Sequence, residues 1–353
     1  MEWTEFLVTQ NDDGRRLDTV LRRISRQQQL SGIFAAVRKN LVRINGKPAK
    51  PGTRIHNGDS LQIASFLLDG NDVIPADQPE PQQSETELPP AKIPIIFQNE
   101  KIIAVAKPAG MLAHGGPQSL TGRLLPYLLS QSEKALSFRP GPLHRLDRNT
   151  SGVMCFSTSL QGAQKFTQSL QAGMLEKYYF AIVEGEFASQ EAEIWQDSLN
   201  RQGRKTRSTS GQENHSERKN ESNAQSIMLP IGPVEVRGTK LSASIIAIRL
   251  ITGRTHQIRA QAAARSHPIV GDRKYGSQTV LKGQGLLLHA LALRIPAECG
   301  LHNEDLTIQA PLPRRWSKML ILPGNNSQER LAWQQSILNS ITKTLQDGKT
   351  PAN

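Results

Sequence analysis

The sequence predicts an α+β protein of two domains joined by a linker. Apolar residues recur at helical spacing over residues 17–24, which is typical of an amphipathic helix packed on a core. The apolar runs at 102–106 and 153–156 are instead typical of buried strands. Residues 69–91 contain six acidic residues, five prolines and no basic residue, so we expect an extended linker there.

This division gives four predicted segments. They are an N-terminal module over 1–68, the linker, a larger domain over 92–323, and a C-terminal helix and tail over 324–353. Within the larger domain, residues 197–226 are polar and charged and almost free of apolar side chains. We therefore expect a mobile insertion at that point of the chain.

The N-terminal module is predicted to be a small α/β unit. After the first helix, Ser31 is expected to act as the N-cap of a second short helix that runs to Asn40. A strand follows, and Asn45-Gly46 then predicts a hairpin turn because both residues tolerate positive φ. A further strand is expected over 60–66.

The charge of the chain favours a polyanionic partner, most often a nucleic acid. There are 43 Lys and Arg against 31 Asp and Glu, a net charge of +12. Between Arg15 and Arg54 stand eleven basic residues and a single acid, Asp18. A charge run is often only a solvated face, but this imbalance falls on one compact module and indicates a binding surface. The candidate contact residues in the module are Arg15, Arg16, Arg22, Arg38, Lys39, Arg43 and Lys47.

The cysteine count and the hydropathy pattern indicate the cellular compartment of the protein. Two cysteines make neither a disulfide framework nor a zinc site, and they fit a reducing cytoplasm. The acidic start of the chain lacks the pattern of a signal peptide. No run approaches the roughly 18 apolar residues of a membrane span. We therefore expect a cytoplasmic protein that makes no membrane contact.

Residues 144–152, His-Arg-Leu-Asp-Arg-Asn-Thr-Ser-Gly, are the most informative stretch. Turn-forming residues before a strand-like run place Asp147 on a loop at a sheet edge, where a side chain can face a ligand. The flanking arginines would keep this carboxylate ionised, as a nucleophile or a general base requires. Taken alone, such an aspartate is more often a turn cap or a structural partner of Arg145.

Two other segments carry residue types suited to the same chemistry. Adjacent tyrosines on a strand face opposite sides, so either Tyr178 or Tyr179 can face a cleft. Residues 252–259 supply arginines, and a guanidinium is a suitable partner for a buried carboxylate. His256 and His267 suggest a metal site only weakly, because no cysteine joins them and their spacing fits poorly.

Together these segments resemble the RluA-type family of pseudouridine synthases, which act on large-subunit ribosomal RNA. Residues 144–152 meet every fixed position of its signature, His-Arg-Leu-Asp-x-x-Thr-Ser-Gly. The resemblance covers about residues 92–315, and the N-terminal module resembles the RNA-binding domain named after ribosomal protein S4. Further family motifs match at 107–110, 177–185, 252–259 and 267–276.

The resemblance implies a fold, an activity and a set of site residues. The implied fold is a mixed, largely antiparallel sheet with flanking helices and a central cleft. The implied activity is the isomerisation of uridine to pseudouridine in RNA, with no cofactor and no metal, by a protein we expect to be a monomer. Asp147 would be the nucleophile, Tyr179 the active-site tyrosine and Arg259 the partner of Asp147. Arg145 would fill the space left by the extruded uridine, and His144 is expected to contact the RNA beside it.

Two other functions are weighed against this one. The first is a non-catalytic RNA-binding or ribosome-assembly factor on the same fold, which would have no need of Asp147, Tyr179 and Arg259 together. The second is a hydrolase such as a nucleosidase, in which Asp147 acts as a base and free uracil is released.

The sequence also departs from the family at Gln261, where the family often has histidine.

Overall fold

The N-terminal module is a four-stranded antiparallel sheet packed on two helices, as far as the described residues show. The computed structural model describes residues 1–25, 30–68, 93–202, 205–209, 221–279, 281, 285–321 and 327–346. The elements are β1 (Trp3–Leu7), α1 (Leu17–Ile24), α2 (Leu30–Arg38), β2 (Val42–Ile44), β3 (Lys47–Pro48) and β4 (Ser60–Ala64). The sheet order is β1-β4-β2-β3.

Most local predictions for this module are confirmed. The apolar face of α1 is buried, and the turn residues Asn45 and Gly46 have φ values of 51° and 76°. The N-cap prediction is wrong, because α2 already includes Leu30 and therefore places Ser31 inside its first turn. Strand β1, which pairs with β4, was not predicted from the sequence.

The larger domain is centred on one extended sheet. Its described strands follow the order β10-β9-β11-β12-β8-β13-β7-β6-β5, with β14 also paired to β13. Among these described strands only β13 and β7 pair in parallel, which confirms the mixed, largely antiparallel sheet. Its elements are β5 (Ile95–Gln98), β6 (Ile102–Lys107), α3 (Leu120–Gln131), β7 (Ser151–Ser157), α4 (Leu160–Gln171), β8 (Glu176–Glu184), β9 (Glu193–Gln202), β10 (Lys205–Thr209), β11 (Glu221–Pro233), β12 (Ala243–Leu250), α5 (Gln257–Ala264), β13 (Leu288–Ile295), β14 (Leu306–Gln309), α6 (Arg314–Met319) and α7 (Ser327–Gln346).

Separate apolar cores cover the two faces of this sheet. On one face, Tyr179 packs in a cluster with Leu146 and Ile258. On the other, Tyr178 packs in a cluster that includes Trp316 and residues of α7. The predicted alternation of the two tyrosines is therefore present, and it assigns Tyr179 to the face that holds the 144–152 loop. None of the helices in the described part of the chain has the length and hydropathy to cross a membrane.

The prediction of a mobile insertion over 197–226 is wrong for both of its ends. Residues 197–202 belong to β9, and residues 221–226 belong to β11. Asp197 and Ser226 are buried, because other polar groups satisfy them inside the fold. A strand with inward polar residues lacks the apolar alternation by which strands are recognised in a sequence. Residues 203–204 and 210–220, and the predicted linker over 69–91, lie outside the described residues.

Gly152 stands where β7 and β13 run side by side. It pairs with Ala290, and its φ of +120° lies in the region that favours glycine. A Cβ at this position would lie 2.0 Å from the carbonyl oxygen of Ala290, well inside the contact distance of any real pair. The last residue of the 144–152 motif is therefore fixed by the packing of two backbones.

We expect Gly152→Ala to lower the free energy of unfolding by at least about 4 kcal/mol, because two strands must separate to admit the methyl group. Gly173→Ala is the matched control, since Gly173 also has positive φ (+71°) but nothing within 4 Å of its Cβ position. Backbone strain alone should cost the control about 1–2 kcal/mol. Urea unfolding of both variants measures the difference. Equal losses would show that the contact with Ala290 relaxes freely.

Candidate active site

A cleft of about 570 Å³ brings together the three segments singled out in the sequence. Its walls include Asp147 from the 144–152 loop, Tyr179 from β8 and Arg259 from α5. Apolar neighbours of these residues share one core cluster, in which Leu146, Tyr179 and Ile258 pack together. The hydrophobic core on this face therefore positions the polar groups that line the cleft.

A buried lysine holds the loop that carries Asp147. The ammonium of Lys107 donates to the carbonyl oxygens of Pro108 (3.1 Å), Arg148 (3.0 Å) and Thr150 (2.7 Å). Burial lowers the pKa of Lys107 to about 8, although the charge of Asp147 acts in the opposite direction. Lys107 of the 107–110 motif thus fixes the backbone of the Asp147 loop.

His144 holds the same loop through contacts of its own. Its Nε2 accepts a hydrogen bond from the backbone N–H of Cys155 at 3.0 Å, and its ring stacks on Phe166. Burial lowers the pKa of His144 to about 4, and the charge of Lys177 acts in the same direction. The ring is therefore neutral near pH 7. His144 lines the cleft, but its Nε2 is engaged within the protein. The neighbouring Arg145 is exposed.

Arg259 binds two carboxylates at once. Its Nε and Nη2 donate to Asp272 at 2.6 and 2.8 Å, which forms a bidentate pair. Its Nη1 donates to Oδ2 of Asp147 at 3.1 Å. Burial alone would lower the pKa of Arg259, but hydrogen bonds and charges from Asp272, with those of Asp147, raise it above the ordinary value. The planar fork is directed at Asp272, and Asp147 receives a single end-on hydrogen bond.

Asp272 is a site residue that the sequence analysis did not assign. Its side chain is buried, and the ring of Tyr275, three residues further on, lies 4.9 Å from the guanidinium carbon of Arg259. Both residues belong to the 267–276 motif, to which the sequence alone gives no role. The signal available in the sequence was an acid and an aromatic residue in a motif with no other assigned function.

His256 also lies close to Asp147. It precedes α5 with a φ of 59°, and its Nδ1 lies 2.9 Å from the hydroxyl of Tyr275. Its Nε2 lies 3.6 Å from Oδ2 of Asp147. Burial lowers the pKa of His256, while the charge of Asp147 raises it. Both contacts fall on Oδ2, and no hydrogen bond from the described residues engages Oδ1 of Asp147.

The two histidines of the weak metal hypothesis have separate partners. His267 stacks on Phe187 with 4.3 Å between ring centroids, and its Nδ1 lies 2.8 Å from the carbonyl oxygen of Glu184. His256 instead contacts Tyr275. Within the described residues, no group of three His, Cys, Asp or Glu is placed to hold a metal ion.

Gln261 connects the helix of Arg259 to the strands of the polar segment. Its amide nitrogen donates to Asp197 of β9 at 2.8 Å, and its amide oxygen accepts from Ser226 of β11 at 2.8 Å. Arg265, the residue that follows α5, also binds Asp197 at 3.0 Å. The position at which the sequence departs from the family is thus a buried polar junction that supports α5.

The candidate RNA-contact residues of the N-terminal module fall into two groups. Three of them are engaged within the protein: Arg16 binds Asp18, Arg43 lies over the ring of Trp3, and Arg15 donates to Ser137 of the larger domain. The others have exposed side chains, and these are Arg22, Arg38, Lys39 and Lys47.

The comparisons with known proteins concern both domains. The family model described as RNA pseudouridylate synthase matches residues 101–264, and that of the S4 domain matches residues 15–61. Ribosomal large subunit pseudouridine synthase D of Xylella fastidiosa is 27% identical over 303 residues, which cover 85% of this chain and 82% of that protein. Ribosomal large subunit pseudouridine synthase C of Vibrio vulnificus is 28% identical over 325 residues, which cover 87% and 92%.

A solved structure shares the fold. Human RNA Pseudouridylate Synthase Domain Containing 1 aligns with a TM-score of 0.54 at 19% identity, covering 70% of this chain and 96% of that one. At this identity the likeness shows the architecture of the sheet and its helices.

We expect the protein to lose stability as the pH falls, in part through His144. The pKa of its ring falls from 6.5 to about 4 on folding, so the unfolded chain binds the proton first. The stabilisation is complete above pH 6.5 and is lost towards pH 4, with a limit of about 3 kcal/mol. Urea unfolding at pH 7.5, 6.0 and 5.0 measures the loss.

His144→Gln should flatten this pH dependence, because an amide oxygen can accept from Cys155 without titrating. His114→Gln is the control, since that side chain is exposed and its replacement should leave the slope unchanged. A His144→Gln protein with the wild-type slope would show that the ring is not held neutral.

Proposed function

Since the chain belongs to the RNA pseudouridylate synthase family and carries an S4 domain, we propose that it converts uridine to pseudouridine in large-subunit ribosomal RNA, with Asp147 as the nucleophile. The observation that carries the assignment of Asp147 is its position in the cleft, held by Arg259 and facing Tyr179. The substrate class is supported by the names of the relatives and by the basic surface of the N-terminal module.

The reaction makes limited demands on the protein. The bond between ribose and uracil breaks, the base turns, and a new bond forms to carbon 5, from which a proton is then removed. No electrons are gained or lost, and the chain's own side chains are sufficient for the acid–base steps. Whether Asp147 attacks the ribose, attacks the base or removes a sugar proton, its carboxylate must be ionised.

The contacts of Asp147 favour Oδ1 as the reacting oxygen. Oδ2 accepts from Arg259 and faces His256, while Oδ1 lies on the side not engaged by the described residues. The guanidinium also neutralises Asp272, so its positive charge is shared between two carboxylates. This sharing holds Asp147 in place and leaves it more negative, and hence more nucleophilic, than an exclusive bidentate pair would.

Tyr179 and Arg145 have complementary roles in the proposal. Burial, together with the charge of Asp147, raises the pKa of Tyr179, so its hydroxyl keeps its proton near neutral pH. A neutral ring beside Asp147 can stack on the uracil, and its hydroxyl oxygen can take up the carbon-5 proton in the final step while it passes its own proton to the carboxylate of Asp147. The target uridine has to leave its stack to reach this depth. We propose that Arg145, which is exposed and lines the cleft, occupies the space that the uridine leaves.

We also propose that a monomer in the cytoplasm is sufficient for activity. Asp147, Tyr179 and Arg259 all come from one chain and meet in one cleft. The two cysteines, Cys155 and Cys299, are buried thiols, in keeping with a reducing compartment.

Asp147→Asn should abolish isomerisation, by at least about 1,000-fold in single turnover, because the amide keeps the shape but not the charge of the nucleophile. RNA affinity should change by no more than a few fold, since Asp147 is not a phosphate contact. Tritium release from RNA labelled at carbon 5 of uridine measures turnover, and filter binding measures affinity. Substantial tritium release by the variant would refute the nucleophile assignment.

The same assay separates the other two functions. A wild-type protein that binds RNA but releases no tritium would indicate a non-catalytic binding factor. A wild-type protein that releases free uracil and leaves the RNA abasic would indicate a nucleosidase.

Arg259→Lys should be severely impaired, by at least about 100-fold, although it keeps the positive charge. A lysine cannot span Asp272 with a planar fork and also reach Asp147, and breaking a buried pair costs on the order of 3–5 kcal/mol.

Asp272→Asn should lower kcat at nearly unchanged RNA affinity, because it frees the fork of Arg259 to turn towards Asp147.

Arg254→Lys is the matched control for Arg259→Lys. Arg254 lines the same cleft, but its guanidinium donates to the backbone oxygen of Asn223 at 3.2 Å. Its replacement should cost less than tenfold. Single-turnover rates measured side by side test the assignment. An Arg254→Lys enzyme slower than Arg259→Lys would show that Arg254, and not Arg259, is the arginine on which Asp147 depends.

A further inference from the structure

The N-terminal module is docked on the larger domain through a buried carboxylate. Asp12, in a short turn before α1, is fully buried. Its carboxylate accepts hydrogen bonds from the backbone N–H groups of Leu136 (2.5 Å), Ser137 (2.9 Å) and Phe138 (3.3 Å), and from the hydroxyl of Ser137 (2.6 Å). Four donors from the larger domain thus converge on one side chain of the module.

The same turn makes two further contacts with the larger domain. The amide of Asn11 donates to the carbonyl oxygen of Glu133 at 3.2 Å and accepts from the backbone N–H of Leu160 at 2.9 Å. Leu160 is the first residue of α4, so this contact reaches a second element. The hydroxyl of Thr9 donates to the carbonyl oxygen of Lys134 at 2.9 Å.

Polar and apolar groups close the rest of this interface. Arg15 donates to the hydroxyl of Ser137 at 2.7 Å, and burial lowers the pKa of Arg15 while the charge of Asp12 raises it. Leu136 packs against the apolar core of the module. A buried carboxylate is costly unless its lone pairs are satisfied, so the match between Asp12 and three successive N–H groups makes the docking specific.

The docking site lies on the chain that leads into the active site. Residues 136–138 precede Asp147 by nine to eleven positions. The chain between them runs along β7, where Leu143 donates its N–H to the carbonyl oxygen of Cys155 and Gly141 donates to the hydroxyl of Ser157. Asp12 therefore fixes the module relative to Asp147 through a short, hydrogen-bonded path.

We propose that the docking makes the module and the cleft one RNA-reading unit, in which Asp12 sets the distance between an RNA element bound by the module and the uridine that enters the cleft. This inference rests on the proposed function. A module joined only by a flexible chain would raise the local concentration of RNA without selecting a distance. A docked module raises affinity and also excludes uridines at other distances. Asp12 is a positioning residue, since it is buried in the interface and touches no RNA.

The partner that fits this unit is a structured RNA. The exposed basic side chains Arg22, Arg38, Lys39 and Lys47 can neutralise phosphates, and each such contact adds roughly 0.7–0.9 to the slope of log affinity against log salt. Because these residues are independent of Asp12, undocking should leave the salt slope unchanged. Selection of the uridine should be lost while electrostatic attraction remains.

The test compares Asp12→Ala with Asp13→Ala. Asp13 is the adjacent carboxylate, but it bonds to Asn57 and His56 within the module and makes no contact with the larger domain that the structure describes. Leu136→Asp breaks the interface from the opposite side and carries the test if Asp12→Ala fails to fold. Spin labels on Ser31→Cys and Ser130→Cys report the distance between domains, because Cys155 and Cys299 are buried.

We expect Asp12→Ala and Leu136→Asp to broaden the distance distribution between the labels. The map of pseudouridines in ribosomal RNA should spread to additional uridines, and kcat/KM for the native target should fall at least about tenfold. Turnover of a short stem-loop that carries the target uridine should stay within twofold, and the salt slope of RNA binding should not change. Asp13→Ala should match the wild type in every measurement.

Two results would overturn the inference. One is an unchanged label distance in both interface variants, which would show that Asp12 does not hold the domains together. The other is a broadened distance with an unchanged pseudouridine map and kcat/KM, which would show that docking does not select the target. A wild-type protein that forms no pseudouridine would instead overturn the proposed function, and the inference with it, while the label distance would still report the docking.

Discussion

The candidate active site depends on the three-way contact of Arg259 with Asp272 and Asp147. The guanidinium stands on α5, one carboxylate on the loop after it and the other on a loop 112 residues earlier in the chain. Removing Arg259 leaves two carboxylates without their cation in a largely buried setting, where such losses cost several kcal/mol. The neighbouring elements therefore have one shared task, which is to deliver these three groups to the same point at hydrogen-bonding distance.

The surrounding fold performs this task with groups that are neutral or already satisfied. His144 is neutral and accepts from Cys155, and Lys107 is saturated by three carbonyl oxygens. Gln261 connects α5 to β9 and β11 without adding a charge. Lys107 is the charged group among these supports, and its ammonium is bound by carbonyl oxygens, so Asp147 is held mainly by the backbone, by Arg259 and by the nearby His256. Within the described part of the chain, this arrangement leaves Oδ1 of Asp147 without a hydrogen bond.

Sequence reasoning succeeded where the decisive contacts were local or periodic. The amphipathic face of α1, the turn at Asn45-Gly46 and the opposite orientations of Tyr178 and Tyr179 all follow from spacing along the chain. It failed where a polar residue is buried by a distant partner. The inward residues of β9 are satisfied by α5, so residues 197–202 resembled a solvated loop, and Asp272 had no visible partner until α5 placed Arg259 beside it.

The protein uses a buried carboxylate at both of its critical junctions, with donors of different kinds. Asp272 is held by a guanidinium, whose permanent charge resists the loss of water when a substrate covers the cleft. Asp12 is held by three backbone N–H groups and a hydroxyl, which are dipoles without net charge. Water can replace these dipoles when the junction opens, although the charge of Arg15 also acts on Asp12, so we expect the domain junction to open at a lower cost than the active site. The order of strength suits the two proposed roles, in which the chemistry relies on the geometry at Asp147 and target selection relies on the geometry at Asp12.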